Sequence, residues 1–158
     1  MRQPLSQREL AIATKMDEGF TSRIVAKLAQ DELIVRDPGG RIRAPDPNLL
    51  LDAWADSYRF TRHRILRGHV PARNAEGQLR SMAEVLTKMR RPYAATGLAA
   101  AWLLKRFAVF RIVTIYLASS PEEPLLGQLG FREVEPGANT WLVVPNDEGV
   151  FQGASDRN

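Results

Sequence analysis

The sequence predicts an α+β protein in which a helix-dominated N-terminal part precedes a mixed α/β part. Two amphipathic segments and a pair of short β-prone runs around a turn lie within residues 1–45. Residues 62–158 alternate between helical periodicity and runs of branched or aromatic residues, which is typical of helices and strands mixed in one domain. Residues 46–61 are predicted to form a connecting helix between the two parts.

The composition is that of a folded protein without disulfides. Hydrophobic residues make up 44% and charged residues 25% of the 158 residues, so the chain has enough apolar residues for a core. Cysteine is absent, which excludes thiol catalysis and cysteine-ligated zinc. Met1–Leu5 lacks the apolar stretch of a signal peptide, so we expect a soluble, cytoplasmic protein without membrane contact.

The positive charge is concentrated in the centre of the chain. Residues 57–91 carry nine basic and two acidic side chains, net +7, whereas residues 1–56 are net −1 and residues 92–158 are net −2. A basic stretch of this size is typical of a surface that binds a polyanion or an acidic partner. A solvated surface that only keeps the protein soluble remains an alternative.

Two short helices are predicted at the N-terminus. Ser6 and Glu9 have the spacing of a capping box, which predicts a helix to about Thr14. Gly19 is suited to a left-handed turn, after which Thr21 or Ser22 is expected to cap a second helix to about Glu32.

The second helix has two distinct faces. At 100° per residue, Ile24, Val25 and Leu28 fall on one side. Ser22, Arg23 and Lys27 fall on the other, so the helix can pack on a core and expose short or basic side chains.

A basic β-hairpin is predicted next. Leu33–Arg36 and Arg41–Arg43 are β-prone runs on either side of Asp37–Gly40, which has turn composition. A helix, a turn, an amphipathic helix and a basic hairpin, in this order, form a winged helix-turn-helix. This arrangement binds DNA by placing the second helix in the major groove and the hairpin against phosphates, but it also occurs in protein contacts.

The candidate DNA-binding residues come from the second helix, the hairpin and the central basic stretch. They are Thr21, Ser22, Arg23, Lys27, Arg36, Arg41, Arg43, Arg62, Arg64 and Arg67.

The rest of the chain predicts four further helices and four strands. Helices are expected over residues 49–60, 74–91, 98–107 and 121–129, and strands over residues 62–70, 110–117, 131–134 and 140–144. Large aromatic residues at helical positions are expected in the core, and these are Trp54, Tyr58, Trp102 and Phe107.

Several short motifs, taken in order, resemble a known family of regulators. They are Leu5–Ala11, Thr21–Val25, Asp46–Trp54, Tyr93–Trp102, Gly137–Leu142 and Pro145–Asp147. These motifs resemble those of AbiEi-like transcriptional regulators, and the resemblance covers most of the chain.

The resemblance implies a winged helix-turn-helix followed by an antitoxin-like domain over residues 62–158. It implies an autorepressor of a type IV toxin–antitoxin or phage-defence operon, whose partner is double-stranded operator DNA. The family's cognate toxin is a nucleotidyltransferase, and direct contact with it is not implied. Because the family has further structure after the position of Phe151, DNA binding is implied more directly than antitoxin activity.

An enzyme is not predicted. His63 and His69 are expected beside arginines on a basic surface, about 20 Å apart along a strand, which is too far to share a metal ion. The sequence has neither a phosphate-binding glycine loop nor a nucleophile elbow, so we expect no catalytic residue, metal or cofactor. A protein-interaction module that regulates a partner remains the alternative to a DNA-binding regulator, and a nucleic-acid enzyme lacks a catalytic constellation.

Overall fold

The computed structural model describes residues 4–107 and 109–151, and it confirms the α+β class. These residues form six α-helices and two β-sheets. The chain divides into two units, Met1–Tyr58 and Arg59–Asn158. Within the described residues, the helices are too short or too polar to cross a membrane.

The first unit contains three helices and a hairpin. In chain order they are α1 (Gln7–Thr14), α2 (Glu18–Gln30), β1 (Val35–Arg36), β2 (Ile42–Arg43) and α3 (Pro47–Ser57). The helix predicted as a connection between domains therefore lies within this unit.

The capping box at the start of α1 is confirmed. The Ser6 backbone N–H donates to Glu9 Oε2 at 2.8 Å, and the Glu9 backbone N–H donates to Ser6 Oγ at 3.3 Å. Hydrogen bonds from the Ser6 backbone and hydroxyl lower the pKa of the Glu9 carboxyl, because they stabilise its charged form. The helix ends at Thr14, and Lys15 after it has a φ of 55°, in the left-handed region.

The predicted start of α2 is wrong. The helix begins at Glu18, because Asp17 accepts a hydrogen bond from the Phe20 backbone N–H at 2.9 Å and caps it. Lys15, rather than Gly19, supplies the left-handed turn, and Gly19 lies in the first turn of the helix. Thr21 is therefore an interior helical residue, buried, and its hydroxyl donates to the Asp17 carbonyl.

The basic hairpin is confirmed. Val35 pairs with Arg43, and Arg36 pairs with Ile42, in antiparallel register. The turn holds because Asp37 accepts from the Arg41 backbone N–H at 2.9 Å and Gly40 adopts a φ of 74°. The Ile42 backbone N–H also donates to the Leu5 carbonyl at 2.7 Å, which adds the segment before α1 to the hairpin.

The expectation that Trp54 lies in the core is wrong. Asp46 caps α3, the helix ends at Ser57, and Trp54 is 58% exposed. Its ring stacks on Tyr58, with 4.9 Å between centroids. The buried hydrophobic residues of this unit are Ala11, Val25 and Ile34, and α3 contributes no buried residue to this small core.

The second unit is a five-stranded sheet with three helices. In chain order its elements are β3 (Arg64–His69), α4 (Ala75–Lys88), β4 (Tyr93–Thr96), α5 (Gly97–Lys105), β5 (Val113–Leu117), α6 (Glu123–Leu129), β6 (Arg132–Glu133) and β7 (Thr140–Val144). Short 3₁₀ turns at Phe60–Arg62 and Glu148–Phe151 flank these elements.

The strand order of the sheet is β4-β5-β7-β3-β6. Only β5 and β7 run parallel among the described pairs, and the other neighbours are antiparallel. The strand at Tyr93–Thr96 was not predicted, because its central alanines carry no strand signal. It forms by pairing with Thr114–Leu117.

The helical periodicity of α4 is confirmed by its buried face. Leu79, Met82 and Leu86 lie in one apolar cluster with Ile115 and Leu142 of the sheet. Each of these five side chains is almost fully buried, so this cluster forms the core of the second unit.

Of the two aromatic residues predicted on α5, one lies in the core. Trp102 is buried as expected, and Phe107 is 75% exposed. The prediction for Phe107 is wrong because α5 ends at Lys105 and Arg106 adopts a φ of 58°, so helical spacing does not reach Phe107.

Two close contacts fix the β3–β6–β7 part of the sheet. A Cβ at Gly68 would overlap Phe131 Cζ and lie 2.5 Å from the Arg132 carbonyl oxygen, so only glycine fits there. The Asn139 carboxamide accepts from the Val70 N–H and donates to the Val70 carbonyl, both at 2.9 Å. The buried Gln78 amide donates to Asn139 Oδ1 at 3.2 Å and so ties α4 to the same point.

We predict that Gly68→Ala lowers the free energy of unfolding by about 1–3 kcal/mol, because the added methyl group overlaps Phe131 and the Arg132 backbone. Chemical denaturation followed by circular dichroism measures the change. Gly127→Ala is the matched control, since a Cβ at this helical glycine meets nothing within 4 Å. Equal stability of the two variants would contradict the contact as described.

Candidate nucleic-acid interface

The outward side of α2 brings together three long side chains. At 100° per residue, Phe20, Arg23 and Lys27 fall within about 60° of one another and on the side away from the buried Thr21 and Val25. All three are exposed. We call Phe20, Arg23 and Lys27 the α2 arc.

Two of the predicted contact residues on α2 lie outside this arc. Thr21 is buried and uses its hydroxyl within the helix, so its side chain is not available for a partner. Ser22 is half-buried, because it lies beside the buried edge of the helix. The prediction of Thr21 as a contact residue depended on the wrong helix start, and we do not retain it.

The charged groups of the α2 arc are only loosely held. The Arg23 guanidinium lies 5.8 Å from the centroid of the Phe20 ring. Lys27 Nζ lies 2.7 Å from Asp31 Oδ1, one turn further along. An exposed pair of this kind is worth about 0.3–0.5 kcal/mol, so an anionic ligand can readily replace Asp31 as the partner of Lys27.

The three hairpin arginines have different surroundings. Arg36 donates to Gln7 Oε1 at 2.7 Å, and Arg41 donates to the Pro4 carbonyl at 2.8 Å. These two side chains hold the hairpin against the start of α1. The Arg43 side chain is exposed and forms no hydrogen bond or ion pair within residues 4–107 and 109–151, so its guanidinium is the hairpin cation most available to a ligand.

The prediction that the arginines of the central stretch form one basic surface is wrong for Arg64 and Arg67. Arg64 and Arg67 are three residues apart on β3, and side chains alternate between the faces of a strand. They therefore lie on opposite faces of the sheet. Arg64 is exposed and donates to Ser120 Oγ at 3.1 Å, and Arg62 is exposed at the end of the preceding 3₁₀ turn.

Arg67 is held by the sheet. Its guanidinium donates to Glu135 Oε1 at 3.0 Å and lies 5.3 Å from the centroid of the Trp141 ring. Its Nε is buried and has no hydrogen-bond partner within the described residues. A side chain with these contacts supports the packing of β3 on β7 more directly than it supports binding.

The prediction that His63 lies on a basic surface is also wrong. His63 is buried, and its ring stands perpendicular to those of Phe60 and Tyr116, with centroids 5.7 and 5.6 Å away. Its Nδ1 accepts from the Asn146 backbone N–H at 3.3 Å. His69, at the end of β3, is exposed.

Sequence reasoning missed Phe20 as a candidate contact residue. The predicted helix began after Phe20, so this residue was assigned to a turn. The available signal was Asp17, which precedes Phe20 by three residues and has the spacing of a helix cap.

Neither a metal site nor a related protein indicates a different functional site. Among the described residues, no group of three or more histidine, aspartate and glutamate side chains could hold a metal ion. Comparisons with protein-family models, with curated proteins and with solved structures find no match for this chain. The α2 arc and Arg43 are therefore identified as candidate nucleic-acid contacts from their geometry and chemistry alone.

We predict that Arg67→Ala lowers the free energy of unfolding by about 1–2 kcal/mol, through loss of its contacts with Glu135 and Trp141. Arg62→Ala, which removes the same charge from an exposed turn, should change it by less than about 0.5 kcal/mol. Urea unfolding followed by circular dichroism compares the two variants. A smaller loss for Arg67→Ala than for Arg62→Ala would mean that Arg67 is not a structural residue.

Proposed function

We propose that this chain is a sequence-specific DNA-binding regulator, with a winged helix-turn-helix in its first unit. The observation that carries the proposal is the α2 arc, which offers Arg23 and Lys27 on the side of the helix away from its buried residues. Arginine can bind a guanine O6/N7 pair with two hydrogen bonds in the major groove, and lysine one turn later can meet phosphate.

The hairpin supports the same proposal. A wing must be fixed relative to the recognition helix if its cations are to meet phosphates at a set position. The bonds of Arg36 to Gln7 and of Arg41 to Pro4, together with the Leu5–Ile42 pairing, tie the hairpin to the start of α1. Arg43 then serves as the phosphate contact of the wing.

The regulator that we propose is an antitoxin-like autorepressor of a toxin–antitoxin or phage-defence operon. The resemblance of the sequence motifs to AbiEi-like regulators supports this step, and operator DNA is then the partner. A nucleotidyltransferase toxin would be encoded with it, and the proposal does not require contact between the two proteins. The basic side chains Arg62 and Arg64 would add phosphate contacts that do not depend on sequence.

A second candidate function is a protein-interaction module. The observation that favours it is that α3 exposes three large apolar side chains, Leu49, Leu51 and Trp54. Such side chains fit an apolar protein surface, and they carry no charge for a phosphate backbone. The two candidates differ in whether binding of DNA depends on sequence.

The experiment that tests the proposal is selection of preferred sites from a random double-stranded library, followed by gel-shift assays. The DNA upstream of the chain's own gene is assayed beside a shuffled sequence at two salt concentrations. Preference for the selected and upstream DNA supports the regulator. Equal binding to all sequences, or none, would favour the protein-interaction module.

We predict that Arg23→Ala weakens binding to the selected site by about 1–3 kcal/mol and weakens binding to shuffled DNA much less, because a bidentate contact to guanine is lost. Lys27→Ala should weaken both by similar amounts, since phosphates occur at every base pair. Gel-shift titrations give the affinities, and circular dichroism shows that each variant is folded. Equal losses on both DNAs for Arg23→Ala would mean that Arg23 does not read bases.

We predict that Arg43→Ala reduces the slope of log K against log salt by about 0.9, the value for one phosphate contact. Arg80→Ala is the charge-matched control, because Arg80 is exposed on α4 of the second unit, which contributes no residue to the proposed wing or the α2 arc. Affinities at four or more salt concentrations give the slopes. If both variants keep the slope of the parent protein, the hairpin does not contact phosphate.

A further inference from the structure

Phe20 is an exposed aromatic side chain in a position that packing does not explain. Phe20 is the third residue of α2 and is 44% exposed, whereas Thr21 and Val25 of the same helix are buried. Its direction on the helix places it with Arg23 and Lys27. An apolar ring exposed beside basic side chains is suited to a partner that has both apolar and anionic groups.

The place of Phe20 on the helix matches the part that meets bases. A helix-turn-helix presents the N-terminal residues of its second helix to base edges. Residues three apart on a helix have Cβ atoms about 5–6 Å apart, and base pairs are stacked about 3.4 Å apart. Phe20 and Arg23 therefore reach base pairs that are one or two steps apart.

A phenylalanine ring can distinguish bases in the major groove by one feature, the C5-methyl group of thymine. It has no group that hydrogen-bonds to a base edge, whereas thymine carries a C5-methyl group that packs against apolar side chains. Cytosine lacks this methyl group and presents an amino donor instead. A phenylalanine at this position consequently favours thymine.

We propose that Phe20 contacts the C5-methyl group of a thymine within two base pairs of the guanine bound by Arg23. This inference rests on the proposed function and names the base pair that α2 reads beside guanine. The Arg23 guanidinium lies 5.8 Å from the centroid of the Phe20 ring, so the two groups are side by side and can meet neighbouring base pairs together.

The test removes one methyl group at a time from the DNA. Each thymine of the selected site is replaced in turn by deoxyuridine, which differs only in the missing C5-methyl group. We expect one replacement to weaken binding by about fourfold, the value of one buried methyl group at about 0.8 kcal/mol. The same replacement should not change the affinity of the Phe20→Ala variant for the site. This variant should bind the thymine and the deoxyuridine DNA equally, with the affinity that the parent protein has for the deoxyuridine DNA.

Two controls separate this contact from general effects. Ile12→Ala removes another exposed apolar side chain of the same unit, 68% exposed on α1, and should retain the fourfold difference between thymine and deoxyuridine. Replacement of the guanine by 7-deazaguanine removes the N7 acceptor used by Arg23, and Phe20→Ala should retain sensitivity to this change. Circular dichroism shows that both variants keep the helical content of the parent.

The outcomes are distinct. A difference between thymine and deoxyuridine that survives in Phe20→Ala, or no sensitive thymine in a protein that binds its selected site, would overturn this inference and leave the proposed function standing. Loss of sensitivity to both replacements in Phe20→Ala would also overturn it, since Phe20 would then act only by positioning Arg23. Absence of any sequence preference in the parent protein would overturn the proposed function itself.

Discussion

The turn from Lys15 to Asp17 determines where α2 begins, and it makes Phe20 and Thr21 helical residues. Lys15 takes the left-handed conformation, and Asp17 caps the helix by accepting from the Phe20 N–H. Because α2 begins at Glu18, Thr21 is helical and lies on the same side as Val25, four residues later, and both are buried. Phe20 is thereby part of the helix and lies on its outward side with Arg23 and Lys27.

The small core of the first unit explains why polar side chains hold its hairpin. With Ala11, Val25 and Ile34 as its buried hydrophobic residues, hydrophobic burial alone contributes little to fixing β1 and β2. The hydrogen bonds of Arg36 and Arg41 take over part of this role by joining the hairpin to the start of α1. Two of three hairpin cations are thus used in the fold, and a charge count alone overstates how many can meet a ligand.

The features that could be predicted from sequence are those formed by near neighbours. The Ser6–Glu9 capping box and the Asp37–Gly40 turn each involve residues within four positions, and the apolar period of α4 repeats along one helix. The environment of Arg67 depends on Glu135, which is 68 residues away, and on Trp141 across a strand pair. No local pattern contains these contacts, which is why the candidate surface around Arg67 was assigned wrongly.

The net charge of a segment also differs from the charge of a surface, because folding brings distant carboxylates to basic residues. Within the +7 stretch, Arg67 pairs with Glu135 and Arg91 pairs with Glu122, and both acids come from the acidic C-terminal part. The α2 arc lies in a unit of net charge −1 and yet sets a ring, a guanidinium and an ammonium group side by side. Discrimination among bases requires such chemical variety, whereas binding to phosphates requires only charge. The surface with the chemistry that the proposed reading of sequence requires is therefore in the less basic of the two units.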